Sequence, residues 1–201
     1  MRRQPRQARS QERVDRILDI AEQLFISVGY NGTTTNAIAV GAKVSIGSLY
    51  QFFPDKAAIV YGLATRYNQQ LRQLLIELDP LEGESFSLAE YMEQIINTID
   101  RFFVDYPGYQ AIYMSLQSSM PELEAIDAAA DAQLIEELAM ILSIRCAGLE
   151  AETYRSIAFV LVKTIGTLLW TSLSQDKLFR DRLVTETKRL TISYLEGYFP
   201  N

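Results

Sequence analysis

One segment of 24 residues, TTTNAIAVGAKVSIGSLYQFFPDK from Thr33 to Lys56, most constrains the fold, because it holds two short helical signals, a tight connection and the start of a further helix. On a helix that begins after Ser45, Leu49 and Phe53 share one face, since side chains four residues apart lie one above the other. The opposite face carries small and polar residues: Gly47, Ser48 and Gln51, with Tyr50 beside them. One face is therefore suited to packing, and the other to contact with another molecule.

The exposed face of this helix has the chemistry of a DNA recognition helix. A glycine lets another backbone approach closely, and hydroxyl and amide groups bond to phosphates and base edges. Ser45 is a favourable N-cap for this helix, and Thr34 or Thr35 caps a shorter helix before it. With the long helix that precedes them, these elements predict the three-helix form of a helix-turn-helix.

The N-terminal segment divides into an arm and a helix. Residues 1–9 hold four arginines without apolar periodicity, and we expect a flexible arm, either simply solvated or in contact with phosphates or a minor groove. From Ser10 to Val28 the apolar positions follow the spacing of an amphipathic helix without a miss. Gly29 is suited to the left-handed conformation that ends a helix.

The rest of the chain predicts helices only. Asp55 caps a long fourth helix, and Ser87 with Glu90 forms a capping box for the fifth. The predicted fold class is all-α, with about nine helices. The expected domains are a flexible basic arm at 1–9, a helix-turn-helix DNA-binding domain at 10–55 and a ligand-binding and dimerisation domain at 56–201. The eighth helix is apolar on more than one face, which favours a homodimer.

Charge and composition exclude several classes of protein. Through residue 56 the chain has eight basic and five acidic residues, against 11 and 20 in the remainder, so one end is attracted to a polyanion. With no histidine and only Cys146, we expect no metal site, no cofactor and no enzymatic activity. The run from Ile157 to Leu173 contains Lys163 and is too short to cross a bilayer. We therefore expect a cytoplasmic protein without a membrane partner.

The motif S-x-G-x-L-Y-x-x-F-x-x-K, together with the preceding GY and TTT..IA, resembles the tetracycline-repressor (TetR) family of bacterial transcriptional regulators over residues 10–60. The resemblance implies a dimer formed through helices 8 and 9 that binds a pseudo-palindromic operator in double-stranded DNA. It also implies a small-molecule effector, largely apolar, whose binding to the second domain releases DNA. The alternative is a DNA-binding adaptor or architectural dimer that has no ligand.

The resemblance also implies which residues meet DNA. Thr35, Tyr50 and Lys56 match phosphate contacts, and the first and third lie at helix N-termini, which favour anions. The predicted DNA-binding set as a whole is Thr35, Ser45, Ile46, Gly47, Ser48, Tyr50, Gln51 and Lys56. Within it, Gln51 is suited to an adenine edge and Ile46 to a thymine methyl group.

Two positions depart from the family pattern. Lys43 stands where a turn glycine is common, so the turn is either reshaped or strained. Phe52 stands where a histidine is common, so one phosphate contact is in doubt.

In the second domain, a set of apolar and aromatic residues predicts a ligand pocket. The alternative interpretation is that these residues form an ordinary core. The candidate ligand-binding residues are Met92, Ile96, Phe103, Tyr106, Tyr109, Tyr113 and Phe159. Arg101 and Lys163 are candidate anchors for an acidic ligand only if they point inward.

Overall fold

The structure, a computed structural model, describes residues 4–78, 87–116 and 119–200. These residues form nine α-helices and no β-strand, as the sequence predicted. The helices are α1 (Gln4–Gly32), α2 (Thr35–Gly41), α3 (Ile46–Phe52), α4 (Lys56–Ile76), α5 (Leu88–Asp105), α6 (Pro107–Leu116), α7 (Pro121–Arg145), α8 (Ala151–Ser172) and α9 (Lys177–Glu196). Over these same residues, no helix combines the length and the apolar character that crossing a membrane requires.

The first helix begins earlier than the sequence predicted. α1 starts at Gln4, whereas a flexible arm was expected through residue 9; residues 1–3 lie outside the described residues. The glutamines, arginines and alanine of this segment favour a helix even without apolar periodicity, and Pro5 falls in the first turn, where proline is tolerated. Near the other end, Gly29 has φ 74° and breaks the helical backbone, at the position that the sequence indicated.

Side-chain caps define the short helices that follow. Thr34 Oγ1 accepts a hydrogen bond from the Ala37 amide, and Ser45 Oγ accepts one from the Ser48 amide, both at 3.1 Å. Asp55 Oδ1 accepts from the amide of Ala58 at 2.8 Å at the start of α4. The caps expected at Ser45 and Asp55 are confirmed, and Thr34 rather than Thr35 caps α2.

The described contacts divide the chain into two compact units. The first contains residues 4–67 and 106–126, where α1 packs against α2 and α6 and α2 packs against α3. Its core is formed by apolar residues from these helices and from the start of α4: Ile17, Ala21, Ile38, Leu49, Ile59 and Leu63. This grouping places α6 with the helix-turn-helix, while the predicted domain boundary at residue 56 stays a prediction.

The second unit contains residues 68–105 and 127–200 in its described parts, with α5, α8 and α9 packed on one another. The buried face of α8 includes Ile157, Ala158, Leu161, Ile165 and Leu169. Phe159 and Val160 lie on another face and are 52% and 40% exposed. The capping box of α5 is also confirmed, since Ser87 Oγ accepts from the Glu90 amide and Glu90 Oε2 accepts from the Ser87 amide.

Candidate nucleic-acid interface

The helix α3 presents two different faces, as predicted. Leu49 is fully buried, and Phe53, directly after the helix, is also buried. Ile46, Gly47 and Gln51 are exposed. A Cβ atom placed on Gly47 would meet no atom of the protein within 4 Å. Packing within this chain therefore does not require glycine at position 47, which is consistent with close approach of an external molecule.

Two predicted phosphate ligands lie side by side. The hydroxyl groups of Thr35, on α2, and Tyr50, on α3, share a hydrogen bond of 3.1 Å. Tyr50 as a residue is 48% exposed. Each hydroxyl has one donor hydrogen and two lone pairs, so one hydrogen bond between them leaves one hydrogen to donate outward. The pair can therefore donate that hydrogen to a phosphate oxygen.

The turn between α2 and α3 contains a strained lysine. Lys43 has φ 54° and is exposed. For a side chain other than glycine this left-handed conformation costs about 1 to 2 kcal/mol. The turn thus keeps the geometry that a glycine would give it, and the lysine that replaces glycine adds a positive charge next to α3.

Lys56 has partners that the sequence did not predict. Its ammonium donates hydrogen bonds to the carbonyl oxygens of Tyr30, at 2.6 Å, and Thr33, at 2.8 Å. It also lies 4.0 Å from the centroid of the Tyr30 ring. Because an ammonium has three N–H groups, one remains for a phosphate. Lys56 therefore ties the start of α4 to the connection between α1 and α2, in addition to any contact with DNA.

A second polar cluster joins α1, α4 and α6. Tyr67 Oη donates to Glu22 Oε1 at 2.5 Å, and Arg66 binds the carboxylates of Glu22 at 2.7 Å and Asp19 at 2.5 Å. Burial, and then the hydrogen bond to Glu22, raise the pKa of Tyr67, which keeps its proton. A Cβ atom on Gly108 would collide with the Tyr67 hydroxyl and the Glu22 carboxylate. The first turn of α6 can approach this cluster because residue 108 is a glycine.

Comparison with protein families assigns both parts of the chain. Residues 17–61 match the family described as "Bacterial regulatory proteins, tetR family", and residues 87–195 match "Tetracyclin repressor-like, C-terminal domain". The chain belongs to the TetR family. This family is one of bacterial regulatory proteins, as the motif between Ser45 and Lys56 indicated.

Relatives and solved structures agree with the TetR assignment. The HTH-type transcriptional regulator QacR of Staphylococcus aureus is 29% identical over 102 residues, which are 46% of this chain and 54% of that protein. The HTH-type transcriptional regulator YvkB of Bacillus subtilis is 37% identical over 71 residues, covering 35% of this chain and 36% of its own length. The chain thus spans about half the length, or less, of the curated relatives that it matches.

The fold is also that of solved members of the family. A TetR-family regulator from Mesorhizobium loti has a TM-score of 0.70 at 17% identity, covering 94% of this chain and 98% of its own. One from Streptomyces coelicolor has a TM-score of 0.65 at 23% identity, covering 92% and 98%. At these identities the similarity establishes the fold alone.

Within this TetR fold, the candidate ligand-binding residues lie in both units. Met92, Ile96 and Phe103 are buried in the second unit, where the Phe103 ring is 5.8 Å from that of Trp170. Tyr106, Tyr109 and Tyr113 belong to the first unit, and the last two rings are stacked at 4.3 Å. Phe159 is exposed on α8, apart from the buried set of the second unit.

Neither candidate anchor for an acidic ligand points into the core. Arg101 is exposed. Lys163 is exposed and donates a hydrogen bond of 2.5 Å to the carboxylate of Asp131. The condition set by the sequence, an inward orientation, is not met at either position.

Sequence reasoning missed the contact of Lys56 with Tyr30 and that of Tyr67 with Glu22. Glu22 is 45 residues from Tyr67, and Lys56 is 26 residues from Tyr30. Helical periodicity carries no information on polar contacts between helices. The signal that was available for Tyr30 is its position directly after Gly29, where an aromatic residue packs back on the last turn of α1; its ring lies 5.7 Å from that of Phe25.

Proposed function

We propose that this TetR-family regulator binds a pseudo-palindromic operator as a homodimer, and that a small, largely apolar effector releases it from DNA. In this proposal Ser45 orients the N-terminus of α3, while Ile46, Gly47, Ser48 and Gln51 approach base edges. Thr35, Tyr50 and Lys56 hold phosphates. The observation that supports it most is the exposed face of α3, where Gly47 has open space around it and Gln51 is exposed.

Dimer formation through α8 and α9 is part of the proposal. Support comes from apolar side chains that are exposed in the single chain. These are Phe159 and Val160 on α8 and Leu190 on α9. Burying such side chains is worth roughly 1.5 to 3 kcal/mol each. Two related α3 helices about one DNA turn apart would follow from a two-fold dimer. Sedimentation at micromolar concentration tests this, and a monomer would reject it.

A small-molecule effector site within the second unit is a further part of the proposal. Of the candidate residues, Met92, Ile96 and Phe103 are the buried ones of that unit, and they supply apolar and aromatic surface. An EbrR structure, 17% identical with a TM-score of 0.56, is described as a multidrug binding protein. A thermal-shift screen of apolar compounds tests this part. A protein that no compound stabilises would favour a ligand-independent adaptor.

The decisive experiment measures binding to DNA from upstream of the protein's own gene. The unaltered protein should bind it with higher affinity than scrambled DNA, and more weakly as salt rises. Tyr50→Phe keeps the ring but removes the hydroxyl, and it should weaken binding to all sequences alike. Gln51→Ala should instead relax the preference at one base pair by about 1 to 3 kcal/mol. Uniform weakening by both variants would contradict the role of Gln51.

We further propose that the protein acts in the bacterial cytoplasm, where its DNA is found.

A further inference from the structure

Three arginines on α1 form a row that the recognition motif does not include. Because α1 begins at Gln4, Arg9, Arg13 and Arg16 all lie on regular helix. They are spaced four and three residues apart, which places them on one face. All three are exposed. We call these residues the arginine row.

Within the described part of the chain, the nearby acidic residues form no ion pair with the arginine row. Asp15 accepts a hydrogen bond from the Gln11 amide at 3.0 Å, and Asp19 is bound by Arg66 at 2.5 Å. Glu12 borders the row, but none of the ion pairs found among the described residues involves Arg9, Arg13 or Arg16. The three guanidinium groups are therefore available to an external anion.

The arginine row leads toward the N-terminus of α3. Ile20 follows Arg16 by four residues, so it lies on the same face of α1. The Cγ2 atom of Ile20 is 2.6 Å from the position where a Cβ atom of Gly41 would lie, at the end of α2. Two residues after Gly41 comes the exposed Lys43, and then Ser45, which caps α3. The face of α1 that carries the row therefore contacts, at Ile20, the end of α2, from which the chain turns into the recognition helix.

The recognition helix itself has no positive charge. Its sequence from Ile46 to Phe52 is IGSLYQF. Affinity for duplex DNA comes largely from neutralised phosphates, so cations must be supplied by neighbouring elements. In the first unit, Lys43 is an exposed cation in the turn before α3, and the arginine row supplies three more on the face of α1 that contacts the end of α2 through Ile20.

We propose that the arginine row, with Lys43, is a second DNA contact surface that binds the phosphate backbone next to the bases met by α3. This inference rests on the proposed function. It adds to that function a partner for α1, the phosphates that flank the operator bases. The row is rigid because it belongs to a helix. It contributes affinity and salt dependence, and no base preference.

The test compares the salt dependence of binding for matched variants. Fluorescence anisotropy on the upstream duplex, from about 50 to 200 mM salt, gives the slope of log affinity against log salt. Arg9→Gln/Arg13→Gln/Arg16→Gln should make the slope shallower by about 0.9 for each lost phosphate contact, so by up to ~2.7 per protomer. The preference over scrambled DNA should stay the same. Arg9→Lys/Arg13→Lys/Arg16→Lys keeps the charges and should keep most of the slope.

A charge-matched variant separates the position of the row from its net charge. Gln11→Arg/Arg13→Gln moves one cation two residues along α1, about 200° around the helix, to a position next to Asp15. We expect the shallower slope of Arg13→Gln alone. If the slope instead equals that of the unaltered protein, net charge alone explains the salt dependence, and the proposal that the arginine row is a DNA contact surface is rejected.

The remaining outcomes distinguish this proposal from the proposed function. If the unaltered protein binds the upstream duplex and the triple glutamine variant has the same slope, the arginine row is rejected and the proposed function stands. If the unaltered protein shows no salt-sensitive binding to DNA, both are rejected. Loss of binding to anionic lipid vesicles by the triple variant, with an unchanged DNA slope, would assign the row to a membrane surface instead.

Discussion

Replacing Lys56 should destabilise the protein even without DNA, because its ammonium is part of the structure. Lys56→Met keeps the length of the side chain but removes both hydrogen bonds, to the carbonyls of Tyr30 and Thr33, and the contact with the Tyr30 ring. Hydrogen bonds from a charged donor contribute about 1.5 to 3 kcal/mol each, and Lys56 is half-buried, so the lower values apply. The ring contact adds about 0.5 to 1 kcal/mol.

Some of this loss is recovered when water reaches the vacated carbonyls. Thr33 is only 2% exposed, so water can replace the ammonium only in part. We therefore expect Lys56→Met to lower the free energy of unfolding by about 2 to 3 kcal/mol. Urea denaturation followed by circular dichroism measures this loss.

Lys43→Met is the matched control for this prediction. Lys43 is exposed, and methionine keeps the same positive φ, so the free energy of unfolding should change by less than about 0.5 kcal/mol. Tyr30→Leu isolates the ring, and we expect a loss smaller than that of Lys56→Met. If Lys56→Met is no less stable than Lys43→Met, the bonds to the two carbonyls do not hold the start of α4, and Lys56 is available for phosphate alone.

Two glycine substitutions test opposite effects. Gly47→Ala should raise the free energy of unfolding by about 0.5 to 1 kcal/mol, because alanine favours a helix and meets no neighbour. The same substitution should weaken DNA binding. Undiminished affinity would show that no DNA approaches this position. Gly108→Ala should lower the free energy of unfolding by about 1 to 3 kcal/mol through collision with the Tyr67 hydroxyl. Tyr67→Phe should recover part of that loss, and simple additivity of the two substitutions would contradict the collision.

The sequence predicted the helices because their signals are local. The N-caps at Ser45 and Asp55 lie next to the turns that they begin, and the break at Gly29 needs no distant partner. The predicted start of α1 was wrong because the prediction used apolar periodicity, and a helix can begin, as α1 does at Gln4, in a segment that has none.

The candidate interface could be predicted as a set of residues but not as a set of contacts. That Tyr50 is exposed while Leu49 is buried follows from helical geometry. Two contacts depend instead on how α2, α3 and α4 are placed around α1. They are the hydrogen bond between the hydroxyls of Tyr50 and Thr35, and the contact of Lys56 with Tyr30. Such placement results from packing across long sequence separations, which a local pattern does not encode.

The shortness of α2 and α3 explains why these placements affect function. Each helix has seven residues, well below the roughly 12 to 15 residues at which an isolated helix becomes even marginally stable in water. Their positions are therefore set by the caps at Thr34 and Ser45 and by burial of residues such as Leu49. Any loss of that support moves Tyr50 and Gln51 as well. DNA affinity should consequently fall in variants that touch no DNA, to an extent that follows their loss of stability, whereas Gly47→Ala should lose affinity while it gains stability.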